Sequence, residues 1–238
     1  MAKELSQKIT AFKELLKIAE EGSFDVYETS GGSIYGERAW PVECLRPLCD
    51  LIDSKTMTRQ KALDETLLNL TRGDLPKTVK CMEKEKKVIH LLLVAGANPN
   101  YAKYYSDGLS SVFDSFRYRG KTYGMLELVQ DKRFESPQKL QEFYNNFHWG
   151  PHYAGLSDEE YALNQQENQN REDLIYTLFQ KNMYPTNPKV FEKLSPVVLK
   201  RDPEFFEKKK EETQKCLARA KTPTQIYTAL MGRRKEKN

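Results

Sequence analysis

Apolar residues recur at Leu5, Ile9, Phe12, Leu16 and Ala19, in steps of four, three, four and three. That spacing predicts one face of an amphipathic helix over residues 3–20. A denser signal follows at 88–94, where Val88, Ile89, Leu91, Leu92, Leu93 and Val94 supply the bulk of a buried helix. Gly96 stands where that helix must stop, in the position that favours a left-handed backbone, and Pro99 forbids re-entry. The stretch therefore predicts a buried helix, an abrupt stop and an extended, exposed loop. Weaker patterns predict helices over 41–52, disturbed by Pro47, and over 56–70. Further helices are expected at 110–119, 124–129 and 136–147. A polar helix is expected from Ser157-Asp158-Glu159-Glu160, and an apolar one over 174–181. Asp202-Pro203-Glu204 and Thr222-Pro223-Thr224-Gln225 read as helix starts, each with proline at the first helical position. Residues 22–40 break the helical pattern, with Gly22, Gly31, Gly32 and Gly36 between aromatic and β-branched pieces, and predict a loop or a short N-terminal hairpin.

Val88-Ile89-x-Leu91-Leu92-Leu93-x-Ala95-Gly96-Ala97-Asn98-Pro99-Asn100 resembles the second helix and loop of an ankyrin repeat, whose consensus there is roughly I-V-x-L-L-L-x-x-G-A-D-P-N. Asp107-Gly108-x-Ser110 is similar to the start of a following repeat. Glu65-Thr66-Leu67-Leu68-Asn69-Leu70 resembles the family's T-P-L-H segment, with Leu67 and Asn69 replacing Pro and His. The segment from Leu174 to Pro185 can be laid on the 88–99 pattern, with Asn182 in the place of Gly96. The resemblance implies an all-α, ankyrin-like helix-turn-helix array with extra helical caps. The expected division is an N-terminal cap at 1–55, divergent repeats at 56–187, and C-terminal helices with a basic tail at 188–238.

Composition narrows the function. The 238 residues are 30% charged with a mean hydropathy of −0.73, and no apolar run approaches a membrane span. Met1-Ala2-Lys3-Glu4 does not open a signal-peptide apolar core, and four scattered cysteines do not suggest a disulfide framework, so a reducing cytoplasm is expected. The net charge of +4 is concentrated late: from Lys200 onwards twelve Lys and Arg face six Asp and Glu, leaving 1–199 slightly acidic. The basic tail, in a chain without a recognisable nucleic-acid module, is read as a solubility feature.

Metal chemistry is disfavoured. Cys44 and Cys49 lie five apart, which does not place both on one helical face, and Cys81 and His90 do not complete a tight zinc pattern. His148 and His152 are separated by Gly150-Pro151, which denies them a shared helix. A Gly-rich phosphate loop is excluded at 31–36 because no Gly-Lys-Ser/Thr follows. No cofactor is expected. The alternative to a binding module is an enzyme, a hydrolase or transferase, whose site lies in the non-repeat segments around Cys44, Cys49 or 148–152.

In ankyrin-like arrays the loop after the second helix and the face of the first helix contact partner proteins. The resemblance therefore implies a protein partner, met here by Tyr101, Lys103, Tyr104, Tyr105, Arg117, Tyr118 and Tyr123. Tyr and Arg are the types that most often anchor interfaces. Nucleic-acid stacking by the same residues is the less favoured reading. Divergent, lysine-rich ankyrin proteins with irregular ends look like those of intracellular bacteria or large viruses, many of them effectors acting in the host cytoplasm.

Overall fold

The structure is a computed structural model describing residues 2–21, 47–48, 50, 57–71, 75–76, 78–105, 108–137, 139–146 and 157–219. Among the described residues it is mostly helical, with one two-stranded sheet. The elements are α1 (Ala2–Glu21), α2 (Arg59–Thr71), α3 (Val79–Ala95), β1 (Ala102–Tyr105), β2 (Gly108–Ser111), α4 (Val112–Tyr118), α5 (Thr122–Gln130), α6 (Leu140–Asn145), α7 (Asp158–Gln180), α8 (Pro188–Arg201) and α9 (Phe205–Arg219). None of these helices is long and apolar enough to cross a membrane. The expected hairpin at 22–40 and the helix from Thr222 lie outside the described residues. Of the expected 41–52 helix, only Pro47, Leu48 and Asp50 are described; all three are helical, and Leu48 is buried. The chain divides into two compact units, Met1–Leu174 and Ile175–Asn238.

In the first unit α3 is the central element. Thr78 caps its start, its side chain accepting from the Cys81 amide at 3.2 Å, and Gly96 ends it at φ 118°. The amides of Gly96 and Ala97 return to Leu93 and Leu92, closing the paired hydrogen bonds of a Schellman stop. An alanine at this φ is strained, although its Cβ meets open space. Gly96→Ala is therefore expected to cost roughly 1–2 kcal/mol through the backbone alone, measured as a shift in the denaturant midpoint with an unchanged slope.

Packing follows from which faces are apolar. The α2 helix packs on α3 and α4, while α5 packs on α3 and α4. Leu63, Leu67, Leu70, Ile89, Leu92, Phe113, Phe116, Leu128 and Val129 fill the space between them, each essentially excluded from solvent. Gly124 lets α5 approach α4: a Cβ there would lie 2.6 Å from the Phe116 ring. The α1 helix lies on α3, but its buried stripe is Ala11, Leu15 and Ala19. The expected stripe is rotated, since Leu5 and Ile9 are exposed, and Phe12 is covered by the Arg59 guanidinium at 4.1 Å.

The extended loop after Pro99 becomes an antiparallel hairpin, with Ala102 opposite Ser111, Lys103 opposite Ser110, Tyr104 opposite Leu109 and Tyr105 opposite Gly108. Two buried or bridging polar groups hold its base. Asp64 Oδ1 accepts from the Asn98 amide at 2.7 Å and from Gln60 at 2.9 Å. Asn100 donates to the Arg133 carbonyl and accepts from the Glu135 amide, both at 2.8 Å, tying this loop to the one after α5.

A correction concerns residues 157–181. The separate polar and apolar helices expected there are one helix, α7, because no Gly or Pro interrupts 158–180. Its end behaves as expected: Asn182 takes φ 59°, and the amides of Asn182 and Met183 return to Phe179 and Leu178. Within the second unit, Phe179 stacks on Phe191 at 5.5 Å, and Phe205 meets Phe206 edge-on at 5.2 Å. These rings tie the end of α7 to α8 and α9. Asn187 caps α8 with Pro188 at its first position, and the Asp202 carbonyl accepts from the Phe205 amide at the start of α9.

Candidate functional site

The residues expected to meet a partner fall into two patches at opposite ends of α4. Seven residues of α-helix separate them, roughly 10 Å along the axis.

The first patch is the hairpin. Tyr101 donates its phenol to Glu65 Oε1 at 3.0 Å, and Lys103 Nζ reaches both oxygens of the same carboxylate at 3.0 and 2.9 Å. Burial alone would push the Glu65 carboxyl up, but hydrogen bonds from Lys103 and Tyr101 outweigh it and hold the group below its ordinary value. Tyr101 and Lys103 thus brace the hairpin against α2. Tyr104 points the other way and is 79% exposed. Its cross-strand neighbour Leu109 is 41% exposed, so the two form a projecting apolar pair. Tyr105 is placed only by its backbone, opposite Gly108.

The second patch is the turn between α4 and α5. Gly120, at φ 71°, reverses the chain after Tyr118, which is 85% exposed. The Arg119 guanidinium sits 5.9 Å from the Tyr118 ring centroid. Arg117 is half-buried, with Glu142 at 3.5 Å and Asp114 at 3.9 Å. Beside it opens a surface pocket of about 400 Å³, with Met125 and Phe143 among its lining.

Tyr123 is a correction. It is fully buried, in an α5 whose residues from Thr122 to Val129 are all buried, so it cannot present a contact surface. Its phenol instead faces Glu85, which forms a fully buried ion pair with Lys121 at 2.6 Å. Lys121 also donates to the Leu70 carbonyl at 2.9 Å. Burial pushes the Glu85 carboxyl up, against the pull of Lys121 and Tyr123. This group fastens α2, α3 and α5 together.

The other candidate chemistry is sparse among the described residues. No group of three His, Cys, Asp or Glu is positioned for a metal. Cys81 is buried and reduced, and His90 Nδ1 lies 3.2 Å from Glu127 at the surface. Cys44, Cys49, His148 and His152 lie outside the described residues.

Sequence reasoning missed Leu109, which reads as an ordinary loop residue until the hairpin register pairs it with Tyr104. It also missed the brace at Glu65 and the Lys121–Glu85 pair. The alternation of side chains along a strand was the available signal for Leu109. A buried lysine within Arg119-Gly120-Lys121-Thr122 carried no signal, because that run reads as a solvated turn. Compared with family models, curated proteins and solved structures, the chain matches none of them.

Proposed function

We propose that the first unit is an ankyrin-like repeat scaffold that binds a partner protein through the α3–α4 hairpin and the α4–α5 turn. The repeat reading is supported by the pairing of α2 with α3 and of α4 with α5, with α2 against α4 and α3 against α5. Helix pairs that each pack on the neighbouring pair are the nearest-neighbour arrangement of a repeat stack. The loop contacts through Asn100 have the same sense, joining one inter-helix loop to the next.

The observation that carries the binding reading is the exposure of Tyr104 and Tyr118 on firmly held elements. An exposed tyrosine on a braced hairpin has little conformational freedom to lose on association and a large amphipathic surface to bury. Leu109 enlarges the hairpin patch. Tyr123 is removed from the contact set; Tyr101 and Lys103 become supports.

Affinity enrichment from lysate, wild type against Tyr104→Ala/Leu109→Ala/Tyr118→Ala, tests this reading. The expected outcome is a protein captured by the wild type and lost with the variant, both chains sharing one melting temperature. Equal capture by both would remove these residues from the interface.

A further inference from the structure

We propose that the pocket at the α4–α5 turn takes an acidic peptide segment of the partner, its apolar side chain seated on Met125 and Phe143 and its carboxylates on Arg117 and Arg171. This rests on the partner-binding reading above and names the chemistry that one patch accepts. The pocket measures about 400 Å³, within the range of sites that hold small ligands or single peptide side chains. Its floor is apolar, since Met125 and Phe143 are 2% and 6% exposed. Its rim carries Arg117, Arg171 and the Tyr118 phenol.

Both guanidiniums are poorly matched by what surrounds them. Arg117 Nε is buried with no hydrogen-bond partner, and an Arg117 terminal nitrogen reaches only Glu142 at 3.5 Å. Arg171 reaches the neutral Asn168 amide oxygen at 3.4 Å. Each guanidinium has five donors in a rigid fork shaped for carboxylates. Glu167 lies one helical turn before Arg171, and burial raises its carboxyl to about 7, so at neutral pH it offsets the Arg171 charge only in part. Glu142 is mostly exposed and contacts Arg117 weakly, a place that a ligand carboxylate of better geometry would take.

A peptide fits better than a nucleic acid. Asp114 and Glu142 stand beside Arg117, and residues 1–199 carry a slight excess of acid. A polyphosphate chain would meet those carboxylates over its length, whereas a short segment with two acids about one apolar side chain meets only the arginines.

The test selects a displayed library of short peptides on the full chain, then measures the best sequence against variants. The expected result is enrichment of sequences with an aromatic or large aliphatic residue flanked by Asp or Glu. Affinity should fall tenfold or more in R117A and in R171A, and rise several-fold in E142Q, whose exposed site leaves folding intact. Enrichment of basic or uncharged sequences, or affinity unchanged in all three variants, would overturn the proposal. So would tighter binding of a single-stranded RNA than of any selected peptide. Peptides lost with Y104A/L109A but indifferent to R117A and R171A would overturn the pocket and leave the hairpin reading standing. Failure to enrich any peptide would overturn the pocket, and the partner-capture comparison would then decide the hairpin separately.

Discussion

Lys121→Met is expected to destabilise the first unit by about 3–5 kcal/mol, the cost of leaving a buried charge without its partner. Lys121 and Glu85 are both wholly excluded from solvent, and their contact at 2.6 Å is shorter than the surface Lys86–Glu83 and Lys87–Glu14 pairs of the same helix. Removing the ammonium strands the Glu85 carboxylate, and the Leu70 carbonyl loses a donor as well. Protonation of Glu85 limits the damage, since burial already favours its neutral form. The second substitution is therefore informative. Lys121→Met with Glu85→Leu replaces the pair by apolar groups of similar shape and is expected to regain most of the loss. Chemical denaturation of the three chains measures this. A single variant within 1 kcal/mol of wild type would mean that the pair does not fasten these helices.

Stability is also expected to fall as pH rises from about 4.5 to 7, because burial raises the Glu167 carboxyl to about 7. Burial is the leading cause of its raised value, about 7 against an ordinary 4.5; Arg171, Thr122 and Lys86 pull the other way. The sign follows from linkage. The folded chain holds this proton more tightly than the unfolded chain does, so the stabilisation is complete below 4.5 and lost by the time pH passes 7. A shift of this size corresponds to about 3 kcal/mol. Glu167→Gln is neutral at every pH and is expected to be more stable than wild type at pH 8 and similar to it at pH 4.5. Asp64 and Glu85 are shifted in the same direction by burial, so some dependence survives in the variant. Denaturant midpoints across this range measure it; identical pH profiles for wild type and variant would contradict the assignment.

The parts of the fold legible in the sequence are those set by local rules. Gly96 and Asn182 were readable as helix ends because few residues tolerate a left-handed backbone, and both take it. The α3 helix was readable because six aliphatic residues within 88–94 carry its bulk without help from a pattern. The rotation of α1 was not: Ala11 and Leu15 are buried because α3 lies on that side, and Leu5 and Ile9, equally apolar, reach past it. Periodicity defines a stripe, but the neighbour decides which edge of the stripe is covered.

The candidate surface divides along the same line. Tyr104 and Tyr118 were readable by residue type and loop position. Tyr123, the same residue type in an adjacent turn, is core, because the chain reversal at Gly120 turns the first residues of α5 inward. Lys121 shows the converse. Its charge suggested solvent, yet the turn drives it under α2, where the Glu85 carboxylate and the Leu70 carbonyl accept from its ammonium. Tertiary position overrode residue type at both neighbours.

The most direct test of the binding account is the dissociation constant of the captured partner for wild type and for Tyr104→Ala. A loss of roughly 2 kcal/mol or more, about thirtyfold, is expected, because an exposed ring on a braced strand has the character of an interface anchor. The melting temperature should move little, as the ring is 79% exposed and its cross-strand contact is with the half-exposed Leu109. An affinity within about twofold of wild type, with the fold intact, would contradict it.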